Sequence, residues 1–296
     1  MIDCPLAECP VCASIEAKLA YDVQGYAHYR CLDCRAIYVF PVPSPNELAE
    51  IYQDRNYYSK ARPKQGEVVP HIDRRLQYIE SMVEQPGTLL DIGCADGYFM
   101  LAARKRGWRT VGVEQSNHTA RFGREKYNLE IINSSLERAD LPSAAFDVIT
   151  LWGVIEHVPQ PKAFLQTAAQ LLKPNGLLCL VTNNTDGWMG RLMRDKFPFL
   201  IPPEHLCLFP VRTLCRIFDE LDMQIVRIET YDVVTPDKAV RGLAKLLGLG
   251  WDYGQSAVID VAARIISRMA QPLLWALGKM NLGSEIEIYA RKHSHV

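Results

Sequence analysis

The segment Leu89-Leu90-Asp91-Ile92-Gly93-Cys94-Ala95-Asp96-Gly97-Tyr98-Phe99 constrains this chain more than any other. An apolar run of strand length meets a glycine-punctuated turn and then a helical pattern. Glycines allow the tight turn and let a ligand approach the backbone. The first turn of the following helix offers unpaired N–H groups. Those groups suit an anion, and a dinucleotide pyrophosphate is one candidate. Asp91 before the turn and Asp96 inside it would repel pyrophosphate and would suit an ammonium group.

From this turn onward, strand and helix patterns alternate. Strands are expected at 88–92, 109–114, 130–132, 146–151, 177–182, 224–231 and 285–290. Helices are expected at 97–106, 117–126, 161–172 and 211–221. Near-continuous apolar strands between amphipathic helices indicate a parallel sheet covered on both faces. The expected fold is therefore α/β, with a doubly wound, mostly parallel, Rossmann-like sheet spanning 85–296. Before it come a Cys-rich knuckle over 1–45 and a helical connector over 46–84, in which Asn46 is the expected N-cap. A helical insert at about 233–283 separates the last two strands. Within it, Pro272 is expected to break or restart the helix.

The strand 109–114 ends on Glu114, about 20 residues past the glycine loop, where an acid can accept both hydroxyls of a ribose. Three further blocks follow: Phe146-Asp147-Val148-Ile149, Glu156-His157-Val158-Pro159 and Leu171-Leu172-Lys173-Pro174-Asn175-Gly176-Leu177-Leu178. In this order and spacing the chain resembles the class I S-adenosylmethionine-dependent methyltransferases over about residues 85–232. The resemblance implies that Asp91 and the loop Gly93, Cys94, Ala95, Asp96 and Gly97 hold the methionine part of that cofactor. It implies Glu114 at the ribose and Gln115 beside the adenine, with Ser135 and Leu136 on the far side. Trp152, just past the fourth strand, is expected beside the methyl group or the acceptor, unless it is a core tryptophan.

Cys9-x-x-Cys12 and Cys31-x-x-Cys34 stand 18 residues apart, within zinc-ribbon spacing. Each pair sets two thiolates on one turn, and two turns complete a tetrahedral four-sulfur shell. With no open coordination position, the expected zinc is structural. Zinc ribbons raise the possibility of RNA, as in an rRNA methyltransferase. Yet residues 1–70 carry seven basic and nine acidic side chains, and the whole chain has a net charge of −1. A nucleic-acid partner is therefore not expected. The first residues lack a basic start and an apolar run, and CxxC pairs suit a reducing compartment, so the expected location is cytoplasmic.

Methyl transfer requires alignment and often removal of a proton from the acceptor. His205, with Glu204 beside it, and His157 are the candidate bases. The wider layout resembles deoxysugar C-methyltransferases, which share the N-terminal knuckle and a Glu-His pair serving deprotonation next to a carbonyl. Glu204-His205 matches that pair and Tyr57-Tyr58-Ser59 loosely matches an active-site tyrosine segment, while Pro202 stands where that group carries a tyrosine. The resemblance implies a small-molecule acceptor, a sugar or secondary metabolite methylated on oxygen or carbon. The helical insert leaves three readings open: a lid, a homodimer surface, or a peripheral membrane contact suited to a quinone or lipid-linked glycan.

Overall fold

The computed structural model describes residues 8–44, 46–48, 69–232 and 269–294. Its main body is a seven-stranded sheet in the order β10-β11-β8-β7-β4-β5-β6. The strands are β4 (Thr88–Ile92), β5 (Arg109–Glu114), β6 (Glu130–Asn133), β7 (Phe146–Trp152), β8 (Leu172–Asn183), β10 (Met223–Tyr231) and β11 (Glu285–Lys292). Neighbours from β6 to β8 pair in parallel, while β11 runs antiparallel to both β8 and β10. The doubly wound, mostly parallel sheet expected from the strand–helix alternation is thus the observed one, and β10–β11 is the closing hairpin.

Helices α1 (Pro70–Ser81), α2 (Tyr98–Lys105), α3 (Asn117–Tyr127), α4 (Pro161–Leu171), α5 (Trp188–Met193) and α6 (Val211–Glu220) flank the sheet. Leu76 and Ile79 of α1, Phe99 and Ala103 of α2 and Tyr289 of β11 share one apolar layer, and Leu165 and Ala168 of α4 with Leu214 and Ile217 of α6 belong to the other. Each such Leu or Ile, fully buried, contributes on the order of 1.5–3 kcal/mol. Residues 269–279 form a further helix, α7, with Pro272 in its first described turn, so the helix does not break at Pro272 itself. Proline removes one donor, and that donor would have faced residue 268, outside the described residues. Gly278 seats α7 on the sheet: a Cβ there would lie 2.5 Å from the Thr230 carbonyl oxygen. The rest of the expected insert, 233–268, and Tyr57-Tyr58-Ser59 also lie outside the described residues.

The cysteine-rich segment folds as β1 (Ala17–Val23), β2 (Tyr26–Cys31) and β3 (Ile37–Val39). A fourth strand, β9 (Cys207–Leu208), completes this sheet from the far end of the chain. The Thr213 hydroxyl donates to the Cys34 carbonyl, and Arg216 pairs with Asp33 at 3.2 Å. At the start of the connector the cap is Ser44 rather than Asn46. Its hydroxyl accepts the Glu47 N–H, while Glu47 takes the Ser44 N–H at 2.8 Å, a reciprocal capping box.

Candidate active site and metal centre

Register places the first acid. Asp91 of β4 stands opposite Thr150 of β7, and the Thr150 hydroxyl donates to its carboxylate at 2.6 Å. Burial, chiefly, lifts Asp91 to about 7, against the pull of that hydrogen bond. The turn that follows needs left-handed backbone at Gly93 (φ 67°), Ala95 (φ 48°) and Gly97 (φ 83°). At Gly97 a Cβ would meet Leu129 Cδ1 at 2.3 Å, and at Gly93 it would meet Val154 Cγ2 at 2.6 Å. The second contact brings the loop after β7 against the glycine turn.

Glu114, buried at the end of β5, accepts the Ala95 N–H at 2.9 Å and the Ser116 N–H at 2.7 Å. Burial raises its pKa, while these two N–H groups oppose the rise. The acid therefore also ties the glycine turn to β5, a role that spacing alone does not reveal. Beyond it, Gln115, Asn133, Ser134, Ser135, Glu137 and Arg138 line a cavity of about 550 Å³. Leu136 is buried beneath it. Cys94 and Asp96 are buried within the turn itself. Trp152 is half-buried, edge-on to Phe99 at 5.1 Å, with the Arg75 guanidinium 4.4 Å from its ring centroid.

The two Glu-His dipeptides come together. The short 3-10 turn Ile155–His157 follows β7, and Glu204-His205 precedes β9. The Leu206 N–H donates to the Glu156 carbonyl at 2.7 Å and fixes the two segments side by side. The imidazoles meet edge to face with centroids 4.7 Å apart. His205 Nδ1 lies 2.7 Å from the Phe199 carbonyl, and His157 Nδ1 lies 3.0 Å from the Glu204 carbonyl. Carbonyls only accept, so both rings carry their proton on Nδ1 and present a basic Nε2.

The Glu156 carboxylate, His157 and His205 bring their ligand atoms within 4.8 Å of one another. The charge of Glu156 bears on His205, and that of Glu204 bears on His157. Burial, the largest influence, lowers both histidines, and the carboxylates partly offset it. Glu156 is buried and raised, and it accepts the Thr182 hydroxyl at 2.9 Å. Sequence reading placed Glu204 with His205 because they adjoin in the chain, and it missed Glu156. The Glu156-His157-Val158-Pro159 block itself was the available signal.

At the knuckle, Cys9 and Cys34 Sγ lie 3.6 Å apart, as do those of Cys12 and Cys31, and all four fall within 4.8 Å of one another. A tetrahedral zinc with bonds of about 2.3 Å requires sulfur separations of about 3.8 Å, so the donor set fits that ion. Ala13 and Arg35, one residue after each CxxC, both take positive φ (58° and 72°), so the two turns are alike in shape. The Cys9–Cys34 hydrogen bond favours the thiolate of Cys9, lowered to about 5, and pushes the Cys34 thiol up.

A family model described as a methyltransferase domain matches residues 65–228. A ubiquinone biosynthesis O-methyltransferase of Coxiella burnetii is 31% identical over 138 residues, which span 44% of this chain and 59% of the relative. The chain thus matches little more than half the length of that protein. Among solved structures, a SAM dependent methyltransferase from Archaeoglobus fulgidus superposes with a TM-score of 0.50 at 19% identity, covering 75% of this chain and 94% of that one. The 1,6-didemethyltoxoflavin-N1-methyltransferase of Burkholderia thailandensis does so with a TM-score of 0.52 at 13% identity, covering 94% and 100%. At these identities the two structures speak for the fold.

Proposed function

The chain belongs to the methyltransferase domain family, and from that premise we propose that it transfers a methyl group from S-adenosylmethionine to a small-molecule acceptor. The observation that carries this reading is the convergence of a glycine turn, two buried acids and a pair of neutral imidazoles on the carboxyl edge of one sheet. When bound, S-adenosylmethionine supplies a methyl on a sulfonium, whose bonding pair stays with sulfur as the methyl leaves. Asp91 holds the ammonium of the methionine part and Glu114 the ribose hydroxyls. Gln115, Ser135 and Leu136 bound the adenine side. His205 Nε2, kept basic by its Nδ1–H bond to Phe199, takes the proton from the acceptor as the new bond forms. Glu156 stabilises the imidazolium that results. The four cysteines hold a structural zinc.

Two acceptor classes fit. A sugar or secondary metabolite, methylated on oxygen or carbon, suits the paired histidines. A quinone or lipid-linked acceptor is favoured by the ubiquinone-pathway relative and by α7, which exposes Met269, Leu273 and Trp275, with Met280 exposed just beyond it. Among the described residues no helix is long and apolar enough to cross a membrane, so contact through α7 would be peripheral. Labelled methyl transfer against pools of nucleotide sugars, quinone or lipid extracts, and RNA tests the proposal. Label in either small-molecule pool supports it, and label confined to RNA overturns it.

Glu114→Ala should weaken cofactor binding about 10- to 100-fold by calorimetry, because charge-assisted bonds are worth roughly 1.5–3 kcal/mol each. Unchanged affinity would remove Glu114 from the ribose site.

Affinity should also depend on pH through Asp91. An ammonium needs the ionised carboxylate, so binding should strengthen by up to about tenfold per pH unit as pH rises toward about 7, then level off. Stability without cofactor moves the other way. An acid raised on folding binds more protons folded than unfolded between 3.8 and about 7, so stability falls as pH rises through that window. Asp91→Asn should flatten both profiles, and a wild-type affinity independent of pH between 5 and 7 would contradict the assignment.

A further inference from the structure

A cavity of about 670 Å³ lies between α1, β10 and α7, lined among others by Arg74, Tyr78, Arg227, Tyr231, Trp275 and Lys279. Three cations and three aromatic rings therefore share one concave surface. The Arg227 guanidinium sits 3.8 Å from the Tyr78 ring centroid, Arg74 sits 5.0 Å from that of Tyr231, and Lys279 sits 5.8 Å from that of Trp275. Stacking uses no donor, and Arg74 and Arg227 each give one Nη2 to a carboxylate. The Nε atoms of Arg74 and Arg227 are buried and have no hydrogen-bond partner among the described residues.

Of the charged side chains that line the cavity, three are cations and two, Glu229 and Asp232, are acids. Glu287, fully buried in β11, serves both Arg74 (3.0 Å) and Arg75 (3.3 Å) and also accepts the Tyr289 hydroxyl, while Glu285, raised to about 7 chiefly by burial, bears on Arg75. The acids that line the cavity are already engaged. Glu229 pairs with Arg227 at 2.5 Å, and Asp232 accepts the Trp188 indole N–H and the Ser284 N–H, each at 3.1 Å.

The cavity is also joined to the reaction site. Tyr231 accepts a hydrogen bond from Arg75 at 2.9 Å, and the same guanidinium lies over Trp152. One side chain thus separates the cationic cavity from the tryptophan at the end of β7. β10 runs parallel to β8, so its Tyr231–Asp232 end lies at the same sheet edge as the glycine turn.

We propose that this cavity binds a phosphate or diphosphate group of the acceptor, with Arg74, Arg227 and Lys279 as its ligands, and so holds the rest of the acceptor toward Trp152. Its role as an acceptor anchor rests on the methyl-transfer reading, whereas phosphate binding itself does not. A doubly charged group with several acceptor oxygens matches guanidinium forks and an ammonium better than a single carboxylate does. A soluble nucleoside diphosphate ester and a phosphate-bearing lipid both present that chemistry.

The test uses the full chain and two probes. One is uridine diphosphate, followed by calorimetry. The other is co-sedimentation with phosphatidylcholine vesicles, with and without phosphatidylglycerol. S-adenosylmethionine binding is measured on the same samples. At least one phosphate probe should bind, and Arg227→Gln and Lys279→Gln should each weaken it about tenfold, the double variant about a hundredfold. Binding of uridine diphosphate identifies a soluble phosphate ester, and binding only to the anionic vesicles identifies a lipid phosphate. Binding of neither probe, binding that persists in the folded double variant, or equal binding to pure phosphatidylcholine overturns the proposal. If cofactor binding is intact in those samples, the failure belongs to the cavity alone. If cofactor binding is absent while a phosphate probe binds, the methyl-transfer reading falls and the cavity stands.

Discussion

Stripping metal from the Cys9, Cys12, Cys31, Cys34 centre is expected to abolish turnover while leaving cofactor binding largely intact. The two sheets of the protein respond differently. The seven-stranded sheet carries Asp91 and Glu114, and one of its faces has an apolar layer, around Leu76, Leu89, Phe99 and Tyr289, that includes no knuckle residue. The four-stranded sheet is small, and its strands converge on the four sulfurs. Structural zinc binding contributes on the order of 10–16 kcal/mol to the folding of comparable small modules. Without it, β2 and β3 lose the turn that joins them. β3 pairs with β9, and the Val39 N–H donates to the Leu206 carbonyl at 2.9 Å, next to His205. The loss should therefore reach His205 through one strand pairing. Elemental analysis should find one zinc per chain. Chelation or Cys31→Ser should raise amide exchange in β3 and β9 and remove activity. A metal-free preparation that is fully folded and fully active would contradict this.

Replacing His205 with Ala should lower turnover about 10²–10⁴-fold with cofactor affinity preserved, the usual range for a lost general base. Burial lowers His205 and keeps it neutral near pH 7, ready to accept a proton. The closeness of Glu156 to His205 adds a sharper expectation. Glu156→Gln should reduce turnover more than Glu204→Gln, because Glu156 is the carboxylate that faces His205. Turnover, melting temperature and cofactor affinity on one sample separate catalysis from packing. If His205 only packs, turnover loss should follow the melting temperature. Near-normal turnover in a folded His205→Ala protein would move the proton-transfer role to His157 or to alignment without a base.

Much of the main sheet is legible in the sequence. Strands β4 to β7 are short runs between helical patterns, β8 extends the expected 177–182 strand back through Lys173-Pro174-Asn175-Gly176, and the turn after β4 is left-handed at Gly93, Ala95 and Gly97. These are local rules, set within a few residues by sterics and periodicity. The CxxC spacing is local too, since each turn brings its own pair of sulfurs together.

The sequence by itself determined the glycine turn, the alternation of strand and helix, and the identity of the four sulfur donors. Only the tertiary structure decided which distant pieces meet. β9 is two residues long and has no periodicity to detect, yet it pairs with β3 some 170 residues earlier in the chain, because β3 leaves an edge that needs hydrogen-bond partners. The chain order Glu204-His205 suggests a dyad, but both dipeptides lie on turns, and it is Glu156, from the other turn, whose carboxylate lies within 4.8 Å of His205. That neighbour is set by the Leu206–Glu156 backbone bond rather than by adjacency in the chain.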